Sequence, residues 1–194
     1  MALLLLHPAC PDAKMMVVSR SSVVVPWPTS LSTTRLVLHP VEMADVPAVS
    51  RLWTDPEVRQ YMGGPVAAAE VTHRMRGFEH VPGNFVVVSR TNGTVLGLVT
   101  VIPDSDGGSR AEVSYRFLPE HWGHGYAREA VGAVVTWALR EISPPPSTVV
   151  AVTQEANDRS RHLLESIGMT LIDGFVEFDA PQVMYSVDRA ALRA

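Results

Sequence analysis

The chain has 194 residues, 46% of them hydrophobic and 19% charged, which excludes wholesale disorder and provides for one domain with a full core. Its formal net charge of −4 gives no electrostatic case for a nucleic-acid partner. Cys10 is the single cysteine, which excludes an internal disulfide framework and suits a reducing cytoplasm, and Lys14 is the only lysine beside many arginines.

In chain order, the apolar run Met1–Leu6 lacks a basic flank and ends at His7-Pro8, short of a secretory signal. No stretch approaches the ~20 apolar residues of a membrane span. Residues 1–30 therefore read as a flexible tail, residues 31–190 as the domain, and the cytoplasm as the default location. Arg35–His39 has strand character and is closed by Pro40. Asp45 caps a predicted helix carrying Val49 and Leu52-Trp53 on one face; Asp55-Pro56 opens a second, ending at Met62 before Gly63-Gly64. A third helical stretch runs from about Val66 to Phe78. Two Val-rich strands, Asn84–Arg90 and Thr94–Ile102, are joined by a turn containing Asn92-Gly93. A third strand, Ala111–Leu118, precedes a glycine turn and an amphipathic helix from Tyr126 that Pro144-Pro145-Pro146 ends. Thr148–Thr153 reads as a strand and Asn157 to Ile167 as a helix stopped by Gly168. Strands Met169–Phe178 and Val183–Val187 flank a turn at 179–182. The order predicts a mixed α/β (α+β) fold: a mostly antiparallel sheet of about six to seven strands, flanked by helices, with one β–α–β crossover.

The most informative stretch is Pro119–Ala127, with Trp122-Gly123-His124-Gly125-Tyr126-Ala127 between a strand and a helix. Helix-opening N–H groups lack intrahelical acceptors, the dipole there is positive, and glycines let an anion approach the backbone. The third glycine of a dinucleotide fingerprint would fall at Arg128, and no Lys-Ser/Thr follows as in a P-loop. A tight turn without a ligand is the plain alternative.

The segment resembles the acyl-CoA signature of the GCN5-related N-acetyltransferases, the GNAT superfamily. It is most similar to the RimJ/RimL-like branch, through Trp122-Gly-His-Gly-Tyr-Ala-Arg-Glu-Ala130. Thr34–Leu38, Asp55–Val58, Ala111–Tyr115 and Asn157–Met169 match other stretches of that branch in order and spacing, over about residues 33–188. Glu120 and His39 depart from the pattern, standing where Arg or Gln, and Arg, are usual.

The resemblance implies the GNAT fold, with a splayed parallel strand pair in mid-sheet. It also implies acetyl-CoA as acetyl donor, a primary amine as acceptor (a protein N-terminus or a small molecule), and direct attack without a covalent intermediate. Backbone groups at Phe117 and Leu118 would bind the pantetheine arm, and those from Trp122 through Gly123, His124, Gly125, Tyr126 and Ala127 to Arg128 the pyrophosphate, with Asn157 also among the cofactor-binding residues. The branch has a serine, matched by Ser160, where related enzymes use a tyrosine to protonate the leaving thiolate. Asn157 and Ser160 also fit a plain helix cap. Glu112 and, second, Glu177 are the candidate general bases, each with a solvated or Arg-paired alternative. His121 and His124 do not form a metal-ligand pattern, so no metal is expected. Trp27 and Trp53 read as packing residues. The acceptor site is expected to be shaped by Trp53, Tyr61, Met62, Met75, Phe78, Phe175 and Phe178, with acids at Glu57, Glu79 and Glu177. No membrane or nucleic-acid partner is expected, and either a monomer or a homodimer is compatible. The alternative on the same fold is a non-catalytic acyl-CoA-binding module.

Overall fold

The computed structural model describes residues 23–78, 81–104 and 109–193. Its sheet has eight strands: β1 (Leu31–Ser32), β2 (Leu36–Pro40), β3 (Asn84–Ser89), β4 (Val95–Pro103), β5 (Arg110–Phe117), β6 (Thr148–Gln154), β7 (Thr170–Glu177) and β8 (Ala180–Asp188). They lie in the order β1-β2-β3-β4-β5-β6-β8-β7. All neighbours are antiparallel except β5 and β6, which the helix α3 (Tyr126–Glu141) connects as a β–α–β unit. The remaining helices are α1 (Val46–Thr54), α2 (Ala68–Met75) and α4 (Asp158–Ser166). The extra strand relative to the sequence reading is the two-residue β1.

Strand alternation divides the core between two faces. One face packs Leu36, Phe85, Val99, Val113 and Phe117 against Ala130, Val134 and Trp137 of α3. The other packs Val86 and Leu98 against Leu52 and Trp53 of α1 and Val71 and Met75 of α2. The sheet is thus covered on both sides, and β5 contributes to both layers.

Three expectations are corrected. The stretch after Asp55 is a run of turns, not a second helix. There Asp55 Oδ1 accepts the Glu57 and Val58 N–H groups, and the buried Arg59 side chain donates to the Met62 and Gly64 carbonyls. Asp55 thus caps the first turn as it would a helix, but Arg59 draws the following carbonyls together and the chain closes in turns. The hairpin between β7 and β8 turns at Phe178-Asp179, both with positive φ (53° and 57°), so Ala180–Gln182 belongs to the strand. A two-residue turn of that hand matches the twist of the flanking strands.

The third concerns residues 23–30, assigned above to a tail. Val24 bridges Ser143 through two backbone hydrogen bonds, of 2.7 and 3.0 Å, and Trp27 meets Phe85 edge-on at 5.0 Å. Val23, Val25 and Trp27 pack against the core. Residues 1–22 of the expected tail, and Cys10 and Lys14 with them, lie outside the described residues. Trp27→Ala should therefore cost about 2 kcal/mol, less than a fully buried tryptophan because Trp27 is only partly covered. Chemical denaturation of the two proteins checks this, and an unchanged midpoint would mean the segment contributes nothing.

Candidate active site

β5 and β6 begin as hydrogen-bonded neighbours and then part. Their register covers only Arg110↔Thr148, Ala111↔Val149 and Glu112↔Val150. Beyond these, β5 continues to Phe117 and β6 to Gln154 without pairing. The Leu118 N–H donates to Leu96 of β4 at 3.0 Å, so alternation turns the backbone groups of Tyr115 and Phe117 toward the gap. The Phe117 carbonyl accepts the Trp122 indole N–H at 2.8 Å, while the Leu118 carbonyl accepts from His121 at 3.0 Å. Both backbone groups of Leu118 are thus engaged within the protein.

The gap opens into a cavity of about 980 Å3. Its wall includes β5 from Glu112 to Phe117, the glycine turn, Asn157 and Ser160 of the α4 start, and the hairpin residues Glu177 and Phe178. From the opposite rim come Glu57, Tyr61 and Met62. Of the residues expected to shape an acceptor site, Tyr61, Met62, Phe178, Glu57 and Glu177 line it. Trp53, Met75 and Phe78 are buried in the core beneath α1 and α2 instead. Phe175 is not in the wall, and Glu79 lies outside the described residues.

At the turn, Gly123 and Gly125 have φ of 78° and 75°, a conformation that disfavours side chains. A Cβ at Gly123 would meet nothing within 4 Å, so it is the backbone angle and the open space above it that call for glycine there. Gly125 caps α3, and its carbonyl takes the first helical bond, from Glu129 N–H at 3.2 Å. The N–H groups of Tyr126, Ala127 and Arg128 therefore have no acceptor within the helix. Arg35 braces this turn: its Nη1 donates to the His124 carbonyl at 2.8 Å and its Nε to Glu129 at 2.7 Å. Glu120 is exposed and pairs with Arg51 of α1 at 2.9 Å. The His124 ring lies beside Tyr126, and among the described residues no group of three His, Cys, Asp or Glu side chains could hold a metal. Open space and unclaimed N–H groups at a helix start fit an anion such as a pyrophosphate.

Two side-chain arrangements face the gap. The Tyr115 hydroxyl and Ser160 Oγ are 2.7 Å apart, joining β5 to α4. Burial pushes the Tyr115 hydroxyl up to about 12, against the opposing pull of the Ser160 hydrogen bond. The Ser160 N–H also donates to Asn157 Oδ1 at 3.2 Å, so the helix cap and the cavity position coexist. Glu112 lies where β5 and β6 part, and its carboxyl is pushed up to about 7. Burial is the largest cause, Arg110 opposes it, and Asp104 and Glu177 add to it. Tyr115 was not singled out by sequence reasoning. Alternation assigns it the same face as Val113 and Phe117, but nothing local points to Ser160, 45 residues away.

A family model for the acetyltransferase (GNAT) domain matches residues 35–170. The chain belongs to the GNAT acetyltransferase family. It is 29% identical over 181 residues to the FsC-acetyl coenzyme A-N(2)-transacetylase of Aspergillus fumigatus, covering 82% of this chain and 76% of that one. Among solved structures, a GNAT-family acetyltransferase from Bacillus anthracis superposes with a TM-score of 0.75 at 20% identity, over 84% of this chain and 99% of its own. Spermidine N-acetyltransferase from Vibrio cholerae, in complex with CoA and spermine, gives 0.72 at 18% identity over 84% and 100%. At these identities the two structures speak for the GNAT fold alone. GNAT acetyltransferases use acetyl-CoA, and no helix among the described residues is long and apolar enough to cross a membrane.

Glu112 carries a stability signature. Its folded carboxyl titrates above its ordinary value, so the folded state holds the proton more tightly than the unfolded chain does. Its contribution is fully present below pH ~4.5 and is lost as pH rises toward about 7. Glu112→Gln should raise the melting temperature more at pH 8 than at pH 5; equal shifts at both would show that the carboxyl is not held protonated.

Proposed function

We propose that the protein transfers the acetyl group of acetyl-CoA to a primary amine by direct attack within a ternary complex. The observation that supports this reading most is the continuity of the strand gap with the glycine turn: one cavity joins unclaimed helix-start N–H groups to the Tyr115–Ser160 pair and Glu112. When bound, acetyl-CoA supplies an activated thioester carbonyl, so the protein needs no nucleophile of its own.

Backbone N–H groups from Gly123 to Arg128 hold the pyrophosphate, with Gly123 and Gly125 keeping its approach clear, whereas the Trp122 N–H, expected to join them, donates to the Pro119 carbonyl at 3.1 Å. The Phe117 backbone, which faces the gap, positions the pantetheine arm where a missing strand would pair. Leu118 supports that contact through its tie to β4 rather than through a free N–H. Glu112, with a carboxyl near 7, takes the amine's proton at neutral pH. Glu177 on the facing hairpin is the second acceptor for that proton. Ser160 Oγ donates its proton to the leaving sulfur and regains one from solvent in the open cavity, while Tyr115 holds that hydroxyl in place. Asn157 fixes Ser160 through the backbone. In this reading residues 31–190 form the catalytic domain, with the packed segment from Val23 completing it. The single cysteine supports a cytoplasmic setting.

Gly123→Val or Gly125→Val should weaken acetyl-CoA binding about tenfold or more by calorimetry, through strain and occlusion of the anion site. Unchanged affinity in a folded variant would remove the cradle. Ser160→Ala and Tyr115→Phe should each lower kcat while leaving acetyl-CoA affinity within a few-fold. In the pH profile of kcat/KM, activity should rise through about pH 7 as Glu112 loses its proton. Glu112→Gln should abolish or displace that limb. If neither Glu112→Gln nor Glu177→Gln alters the profile, the base assignment fails. Acetyl-CoA binding without thiol release from any amine would instead leave a non-catalytic acyl-CoA-binding module.

A further inference from the structure

Beneath the acceptor rim, three guanidinium groups surround one indole. Arg116 lies 4.7 Å from the Trp53 ring centre, Arg74 5.4 Å and Arg59 5.7 Å. Arg59 is 1% exposed and Arg116 6%, yet both line the cavity. Among the described residues the only carboxylate paired with this cluster is Glu70, bound to Arg74 at 2.9 Å. Among the described residues, Arg59 donates only to the neutral carbonyls of Met62 and Gly64, and the Arg116 side chain has no ion pair and leaves its Nε without a hydrogen-bond partner. Among the described residues, two positive charges are left uncompensated in a low-dielectric setting, where buried charges are ordinarily paired. The cost shows on Arg116, pushed down to about 10 by burial and by repulsion from Arg59 and Arg74.

A second observation is independent of charge. The buried side-chain nitrogens without a hydrogen-bond partner among the described residues are Trp53 Nε1, Arg74 Nη1 and Arg116 Nε, and all three belong to this cluster. Such orphans are uncommon in folded proteins and call for an explanation. Stacking on Trp53 holds the guanidinium planes but satisfies none of these N–H groups. The cavity's own acids, Glu57, Glu112 and Glu177, form no ion pair with Arg59 or Arg116. Carboxylates and guanidiniums are therefore kept apart on one wall: Glu112 toward the strand divergence, Arg116 toward α1 and α2.

We infer that the acceptor is a zwitterion, a primary amine bearing a carboxylate that docks on Arg116 and Arg59 while its amine lies toward Glu112 and Glu177. This rests on the transferase reading above and narrows its substrate class. The planar fork of arginine matches a carboxylate bidentately, and the missing counter-charge is what such a ligand brings. The carboxylate belongs either to a free amino acid or to an acidic side chain beside a peptide amino end.

The test measures thiol release by the full-length protein from acetyl-CoA and paired acceptors differing by one carboxylate. The pairs are β-alanine with propylamine, phenylalanine with phenethylamine, and the peptide Ala-Asp-amide with Ala-Asn-amide. The carboxylated member of at least one pair should show kcat/KM higher by about tenfold or more, and the pair that responds identifies the source. Arg116→Met should erase that ratio, mainly through KM, and Arg116→Lys should keep part of it. Should Arg116→Met fail to fold, the unmodified protein decides: hydrocinnamate, which lacks the amine, should compete with the acceptor better than its amide does. Equal rates within every pair, or equal competition by acid and amide, with thiol still released, would overturn the anion site and leave the transferase reading intact. No thiol release from any acceptor, although acetyl-CoA binds, would overturn both.

Discussion

A parallel strand pair that stops pairing after three residues is the constraint from which the rest of the site follows. Each backbone group in a sheet needs a partner, and at β5 beyond Glu112 the neighbouring strand no longer provides one. The Phe117 carbonyl is claimed by the Trp122 indole, which ties the glycine turn to the strand that feeds it. The Tyr115 side chain spans the same gap to Ser160 and keeps the start of α4 beside β5. Divergence, turn and helix start are therefore one connected unit, and the two covered faces of the sheet hold it rigid from behind.

That unit explains why groups of such different sequence position meet. β5 delivers Glu112, Tyr115 and Arg116 within five consecutive residues, and alternation sends them to different sides. Glu112 and Arg116 share the face toward α1 and α2, where one is raised and the other lowered in pKa, with burial the leading cause in both. Desolvation acts on both in the same sense, favouring the neutral form. The opposite face carries Tyr115 against α4. A single strand thus feeds both layers with polar groups at the point where its ladder partner leaves.

Much of this was legible beforehand where the signal is local. Val-rich alternation located β3, β4 and β6 to within a residue or two, and the apolar stripe from Tyr126 located α3. Gly123 and Gly125 were recognisable because their spacing sits between a strand and a helix, and Gly168 because it ends one. Legibility failed where distant residues decide. The run Asp55–Gly64 carries helix-start residues, yet the buried Arg59 takes the carbonyls of Met62 and Gly64. Residues 23–30 lack periodicity, but Trp27 finds Phe85 across the fold. Neither the Tyr115–Ser160 contact nor the arginines around Trp53 has any sequence signature, since each depends on how strands and helices register across dozens of residues. Trp53 did read correctly as a packing residue, and three guanidinium groups join its apolar neighbours.

Among the described residues, the guanidinium side chains in the cavity wall are those of Arg59, Arg116, Arg128 and Arg159, and no lysine or cysteine lines it. A guanidinium stays protonated across the physiological range and is a poor nucleophile. A reactive thioester in such a chamber would meet positive charge without meeting an ε-amine or a thiol of the described residues. Guanidinium charge thus attracts anions without offering an acyl acceptor, a form of chemical inertness that lysines of the same charge could not provide.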